Sequence, residues 1–311
     1  MTKHASRLAP SPTGALHLGN ARTFVVNWAL ARRHGWRLPL RIEDLDGPRV
    51  RPESIPDTLE LLAWLGIDFD GAPTIQSDDL DPYRAAMRTI TAQGLAYACA
   101  LTRREIEAAA SAPHAGDQEL RFPSMLRPAD YGSQRFEDET TNYRFVVPDE
   151  TMTVDDVVAG AVSCTPAHEV GDFVIWTKRG VPSYQLAVVV DDARQCITDV
   201  VRGDDLLPSA ARQTLLYRAL DRTPPRWWHL PLVVGPDGRR LAKRHGDTRI
   251  ATYRADGVRA ERILGLLAWW SGVSPERRPC SAADFRDQFD LRTLSRQQVT
   301  FTADDHAWLT G

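Results

Sequence analysis

The chain has 311 residues, 43% of them hydrophobic, and a formal net charge of −3 at pH 7. Such a chain builds one large or two moderate domains with a real core, and its charge excludes a protein that coats nucleic acid non-specifically. No apolar run marks a signal peptide or reaches bilayer-crossing length, so a cytoplasmic location without membrane partners is expected.

In chain order, Arg7-Leu8-Ala9 reads as a short buried strand ending at Pro10, and Pro10 to Gly14 as a tight turn. Ala21 to His34, carrying Phe24, Val25, Trp28, Leu30 and Ala31, predicts an amphipathic helix closed by Gly35. A strand, a glycine turn and a helix N-terminus make a phosphate cradle. His17 and Asn20 fall at its first turn, where an imidazole can donate to an oxygen whose charge grows during reaction. Arg41-Ile-Glu-Asp44 follows, then a helix over Ile55 to Leu65 that starts near Pro56 and ends at Gly66.

From Ser77 to about His168 the pattern changes to a turn-rich insertion, with loops at Pro113 to Asp117 and Pro128 to Ser133. Leu186 to Val190 and Ile197 to Val201 read as buried parallel strands, which puts the polar residues around them at a sheet edge. Leu232 to Gly238 reads as a strand and turn, followed by Arg239-Arg-Leu-Ala-Lys-Arg-His245 on an exposed loop. The only lysines are Lys3, Lys178 and Lys243, so Lys243 stands out in that loop. Arginines from Arg212 to Arg262 form a loose basic stretch that is either a solvated face or a phosphate-backbone contact. Ala260 to Ser271 predicts a helix rich in leucine and tryptophan. Cys99, Cys164, Cys196 and Cys280 are dispersed, which predicts reduced, mostly buried thiols.

The run Arg7 to Asn20 resembles the HIGH signature of class I aminoacyl-tRNA synthetases in its glutamate-branch form, with Asn20 replacing the last histidine. Arg240-Leu-Ala-Lys-Arg244 is similar to the second signature, KMSKS, with Lys243 as its second lysine. The segments Asp172 to Trp176, Pro182 to Asp192 and Thr198 to Leu207 resemble the amino-acid pocket of glutamyl-tRNA synthetases. The implied fold is α/β, a Rossmann-type doubly wound parallel sheet split by an α+β insertion, with a short helical C-terminal stem-contact region. Its halves are 1–72 and 171–224, its insertion 73–170, and its signature loop and helical end 225–311. The resemblance assigns glutamate to Arg7, Ser11, Glu43, Tyr184 and Arg202. It assigns ATP to Pro10, Ser11, Gly14, His17, Gly19, Asn20, Leu241 and Lys243, with His17, Asn20 and Lys243 catalytic and Mg²⁺ accompanying the nucleotide. Glutamate has two carboxylates and one ammonium, which suits two forked cations and one anion.

Two departures refine this. About 65 residues follow the Lys243 loop, which leaves no room for an anticodon-reading domain. The compact relatives with that architecture are the glutamyl-queuosine tRNA(Asp) synthetases, which the chain resembles nearly end to end. Such enzymes activate glutamate without tRNA and transfer it to queuosine in the anticodon stem-loop of tRNA(Asp). A glutamyl-tRNA synthetase lacking its anticodon domain and a non-catalytic paralogue are the alternatives. Members of this family often bind zinc with a Cys-x-Cys pair and a Tyr-x-x-x-Cys. Here Tyr97-Ala-Cys-Ala-Leu101 and Phe122-Pro-Ser-Met-Leu126 retain only Cys99, so Leu101, Phe122 and Leu126 are expected to pack there without zinc. A monomer is expected.

Overall fold

A computed structural model describes residues 4–12, 16–45, 47, 50–109, 121–239, 241 and 248–311. The first described residues are extended and run parallel to residues 37–43. Ser6 N donates to Arg37 O, Leu8 N to Pro39 O and Glu43 N to Pro10 O, each at 2.9–3.0 Å. The chain then enters α1 (Leu18–His34), three residues earlier than apolar spacing alone indicates, because His17 caps it. Gly35, at φ 64°, closes α1 in the left-handed conformation that glycine adopts without strain. Next come β1 (Arg41–Ile42), α2 (Ser54–Trp64) and β2 (Thr74–Ile75), with β1 and β2 parallel.

The middle of the chain supplies α3 (Asp81–Ala92), β3 (Ala96–Cys99), α4 (Arg103–Ala109), β4 (Asn142–Phe145), β5 (Met152–Asp156), β6 (Gly160–Cys164), α5 (Pro166–Glu169), β7 (Val174–Thr177) and β8 (Val181–Pro182). It continues through α6 (Tyr184–Arg194), β9 (Asp199–Gly203), α7 (Leu207–Ala219) and β10 (Arg226–Leu230). One sheet has the order β3-β4-β7-β8 and is antiparallel; another has the order β6-β5-β10-β9, with β10 parallel to both β5 and β9. Pairing therefore cuts across an insertion bounded at 73 and 170. The β5–β6 hairpin joins β10, while β7 and β8, beyond residue 170, complete the sheet begun by β3 and β4.

The expected strand at Leu186 to Val190 is instead the centre of α6. All seven residues from Leu186 to Asp192 are buried, and an apolar run without a period does not distinguish a buried helix from a buried strand. The run Ile197 to Val201 does lead into a strand, β9. Pro113 to Asp117 lie outside the described residues, and Tyr131–Ser133 form a short 3₁₀ turn.

The C-terminal part contains β11 (Val233–Val234), α8 (Ile250–Ala255), α9 (Ala260–Trp270), α10 (Ala282–Gln288), β12 (Val299–Thr300) and α11 (Ala303–Thr310). The apolar face of α9, including Ile263, Leu264, Leu266 and Leu267, enters the same core as Val25, Val26 and Leu30 of α1. Arg22 ties these parts together: it donates to Pro231 O at 2.7 Å, Trp270 O at 3.2 Å and Ser271 Oγ at 3.2 Å. Burial lowers its pKa to about 10. The start of α1, the approach to β11 and the end of α9 are thus one unit. No helix among the described residues is long and apolar enough to cross a membrane.

Candidate active site

His17 adopts an extended conformation and caps α1 through its ring. Nδ1 accepts from Gly19 N at 3.2 Å and Asn20 N at 3.3 Å, while Asn20 Oδ1 accepts from His17 N at 2.8 Å. Two amides pointing at Nδ1 put the neutral ring's proton on Nε2, on the far side of the imidazole. A Cβ at Gly19 would stand 3.2 Å from that ring, which explains a glycine there. His17 and Asn20 therefore build the helix start as well as lining the site.

Beside this helix start is a cavity of about 760 Å³ whose lining includes Arg7, Pro10, Ser11, His17, Gly19 and Asn20. Glu43, Tyr184 and Arg202 line it too. Gly14 and Lys243 lie outside the described residues. Leu241 is the exception among the expected residues: it is buried in the core shared by α1 and α9, and its N–H reaches Val233 O at 3.4 Å. Its side chain packs into that core and is not part of the cavity lining.

Arg7 and Glu43 are held by residues that the sequence did not single out. Buried Arg41 donates from Nη2 to Glu43 Oε1 at 2.9 Å and from Nη1 to Asp192 Oδ1 at 2.7 Å. Arg7 Nε donates to the same Asp192 oxygen at 3.2 Å. Burial alone would lower the Arg41 pKa, but the attraction of Asp192, Glu43 and Asp191 outweighs it and raises it. For Glu43, burial raises the pKa despite Arg41 and Arg7. The spacing Arg41-x-Glu43, two residues along a strand, was the available signal, because such residues share a face.

Arg202 is different. It is 5% exposed, yet among the described residues it has no carboxylate within ion-pair distance. Its donors go to neutral acceptors: Gln213 Oε1 at 2.8 Å, His229 Nε2 at 2.9 Å, Leu206 O at 3.2 Å and Tyr184 OH at 3.4 Å. The Trp227 ring lies 5.0 Å from its guanidinium carbon. Burial lowers its pKa. A buried cation held only by dipoles can attract an anionic ligand.

Away from this cavity the basic stretch breaks up. Arg212 is buried, Arg218 pairs with Glu150, Arg226 with Asp199 and Arg254 with Glu60. A second cavity, of about 550 Å³, includes Arg127, His168 and Arg218, which are already paired with Asp172, Asp149 and Glu150. In the region of the expected metal ligands, Cys99, Tyr97, Ile106 and Phe122 form a buried cluster, with Leu101 and Leu126 packed against it. Gly171, at φ 66°, lies so close that a Cβ would stand 1.9 Å from Phe122 O. All four cysteines are free; Cys99 and Cys280 are buried, whereas Cys196 is exposed, contrary to expectation, on a turn with positive φ.

The family described as tRNA synthetases class I (E and Q), catalytic domain, matches residues 3–308. A Glutamyl-Q tRNA(Asp) synthetase of Symbiobacterium thermophilum is 43% identical over 98% of this chain and 98% of its own length. One from Rhodopirellula baltica is 42% identical over 95% and 93%. Among solved structures, a glutamate tRNA ligase from Elizabethkingia meningosepticum in complex with its amino acid superposes with a TM-score of 0.81 at 30% identity. That match covers 99% of this chain and 68% of the ligase.

Proposed function

Because the chain belongs to the class I tRNA synthetases of the E and Q type, matched through their catalytic domain, we propose that it activates L-glutamate with ATP and transfers it to queuosine in tRNA(Asp). The observation that carries this reading is the convergence of Arg7, Glu43, Tyr184 and Arg202 on the cavity where His17 and Asn20 begin α1. The near end-to-end match to Glutamyl-Q tRNA(Asp) synthetases supports the acceptor. The finer fold reading is a Rossmann-type sheet. Thr198 N and Asp199 N both donate to Ala5 O, at 2.9 and 3.0 Å, which sets the N-terminal strand beside β9. The protein acts as a monomer in the cytoplasm.

In this reading Arg202 receives a substrate carboxylate and Glu43, backed by Arg41, receives the α-ammonium. Arg7, half-neutralised by Asp192, flanks the other carboxylate. A glutamate carboxylate oxygen forms a bond to the α-phosphorus of ATP as the bond to the bridging oxygen breaks, and pyrophosphate leaves. His17 Nε2–H and the Lys243 ammonium stabilise the charge that moves onto phosphate. The protein's part is positioning and electrostatics. Mg²⁺ accompanying the nucleotide would help neutralise the charge on its phosphates. The cluster around Cys99 takes the volume of a zinc site.

The experiment for the acceptor is transfer of labelled glutamate to tRNA(Asp) with and without queuosine. Labelling only of the queuosine-containing tRNA is expected; labelling of tRNA(Glu) instead would establish the 3′-end-charging alternative.

A further inference from the structure

Three residues far apart in the chain form a hydrogen-bonded row beside the cavity. Asp156 ends β5, His229 lies in β10 and Arg202 in β9. The parallel register sets His229 opposite Arg202 and Trp227 opposite Asp156, so neighbouring strands bring the three side chains together. A guanidinium only donates, so the 2.9 Å contact from Arg202 Nε requires a lone pair on His229 Nε2. The ring proton is therefore on Nδ1, which donates to Asp156 Oδ2 at 2.6 Å. Asp156 is itself fixed by the N–H groups of Val158 at 2.9 Å and Ala159 at 2.7 Å. The side chains of His229 and Asp156 are fully buried, and neither lines the cavity.

The contrast with Arg7 shows what the imidazole does. Arg7 meets Asp192 directly, so part of its charge is taken up by that carboxylate. Arg202 is anchored just as firmly, but its nearest anionic support in this row stands one ring away, so its charge stays available to a ligand. We infer that Asp156 and His229 are a positioning relay for Arg202: the carboxylate holds the imidazole as the Nδ1–H tautomer, which alone offers a lone pair to the guanidinium. The relay's effect on glutamate rests on reading Arg202 as a ligand of the substrate carboxylate.

His229→Gln keeps an acceptor near the Nε2 position, whereas His229→Leu removes it. Asp156→Asn keeps the shape but presents an amide donor to Nδ1, which drives the proton to Nε2 and sets N–H against N–H. In glutamate-dependent ATP–pyrophosphate exchange, His229→Leu and Asp156→Asn should raise the glutamate KM about tenfold to a hundredfold. Their kcat and ATP KM should stay within about threefold, and His229→Gln should recover most of the glutamate KM. In parallel, ¹⁵N NMR of the wild-type imidazole should show a protonated Nδ1, moving to Nε2 in Asp156→Asn. An unchanged glutamate KM in His229→Leu overturns the relay, as does equal damage to ATP KM and kcat without relief by glutamine. A wild-type ring protonated on Nε2 overturns it whatever the kinetics. Wild-type protein that gives no glutamate-dependent exchange overturns the functional reading instead, and the tautomer measurement still decides the relay.

Discussion

Arg41 holds two carboxylates at once: its Nη2 donates to Glu43 at 2.9 Å and its Nη1 to Asp192 at 2.7 Å. The carboxylate assigned to the substrate ammonium and the one that steadies Arg7 therefore depend on one guanidinium that is 1% exposed. Arg41→Met leaves Glu43 and Asp192 with Arg7 as their neighbouring cation and removes a 3.8 Å ion-pair partner from Asp191. The expected loss is about 3–5 kcal/mol in denaturant unfolding, with a raised glutamate KM in whatever protein remains folded. A loss below about 1 kcal/mol would show that the cluster tolerates its removal.

Two separable roles are proposed for His17, helix cap and donor to the reacting phosphate. His17→Asn retains a good helix cap but no Nε2 donor, whereas His17→Ala loses both. H17A should unfold about 1 kcal/mol more easily than H17N. Both should lower the activation rate about a hundred- to a thousandfold. Near-normal exchange by H17N would reduce His17 to a cap. Lys243→Ala is expected to lose rate on the same order while glutamate binding changes little.

The relay also gives stability a pH dependence. Burial lowers the His229 pKa; for Asp156 burial acts upward, but the His229 hydrogen bond and backbone N–H groups outweigh it and lower it. A lowered group stabilises the folded state above its ordinary pKa, and the contribution is lost as pH falls through the folded value. For His229 the loss begins below about pH 6.5, and for Asp156 below about pH 4. Calorimetry from pH 7.5 down to 5 should show a fall in Tm that is smaller in His229→Gln, which has no imidazole to protonate. Glu43, raised by burial, acts in the opposite sense, but it is common to both proteins and cancels in the comparison. Identical slopes would contradict the assignment.

The cluster around Cys99 is expected to hold together by packing, without zinc. Metal analysis should find well under one zinc per chain, and chelator should leave Tm unchanged. Phe122→Ala, at a side chain 1% exposed, should cost about 3–5 kcal/mol. One bound equivalent of zinc would overturn this reading.

The sequence made the parts of the site legible wherever local chemistry determines structure. The glycine that closes α1 and the convergence of Arg7, Glu43 and Arg202 followed from short patterns and resemblance. Leu186 to Val190 did not, because a fully buried helix has no polar face to reveal its period. Asp156 and His229 carried no signal, since what joins them to Arg202 is the order β5-β10-β9, a property of strand pairing between distant segments. Arg41 was within view, two residues from Glu43, but its role emerged only when α6 delivered Asp192 to the same place.

The most direct measurement is ATP–pyrophosphate exchange without tRNA, run with glutamate and with aspartate and glutamine as controls. Exchange with glutamate alone is the expected result. Exchange that appears only when tRNA(Glu) is added would contradict tRNA-independent activation, and none under any condition would leave a binding module.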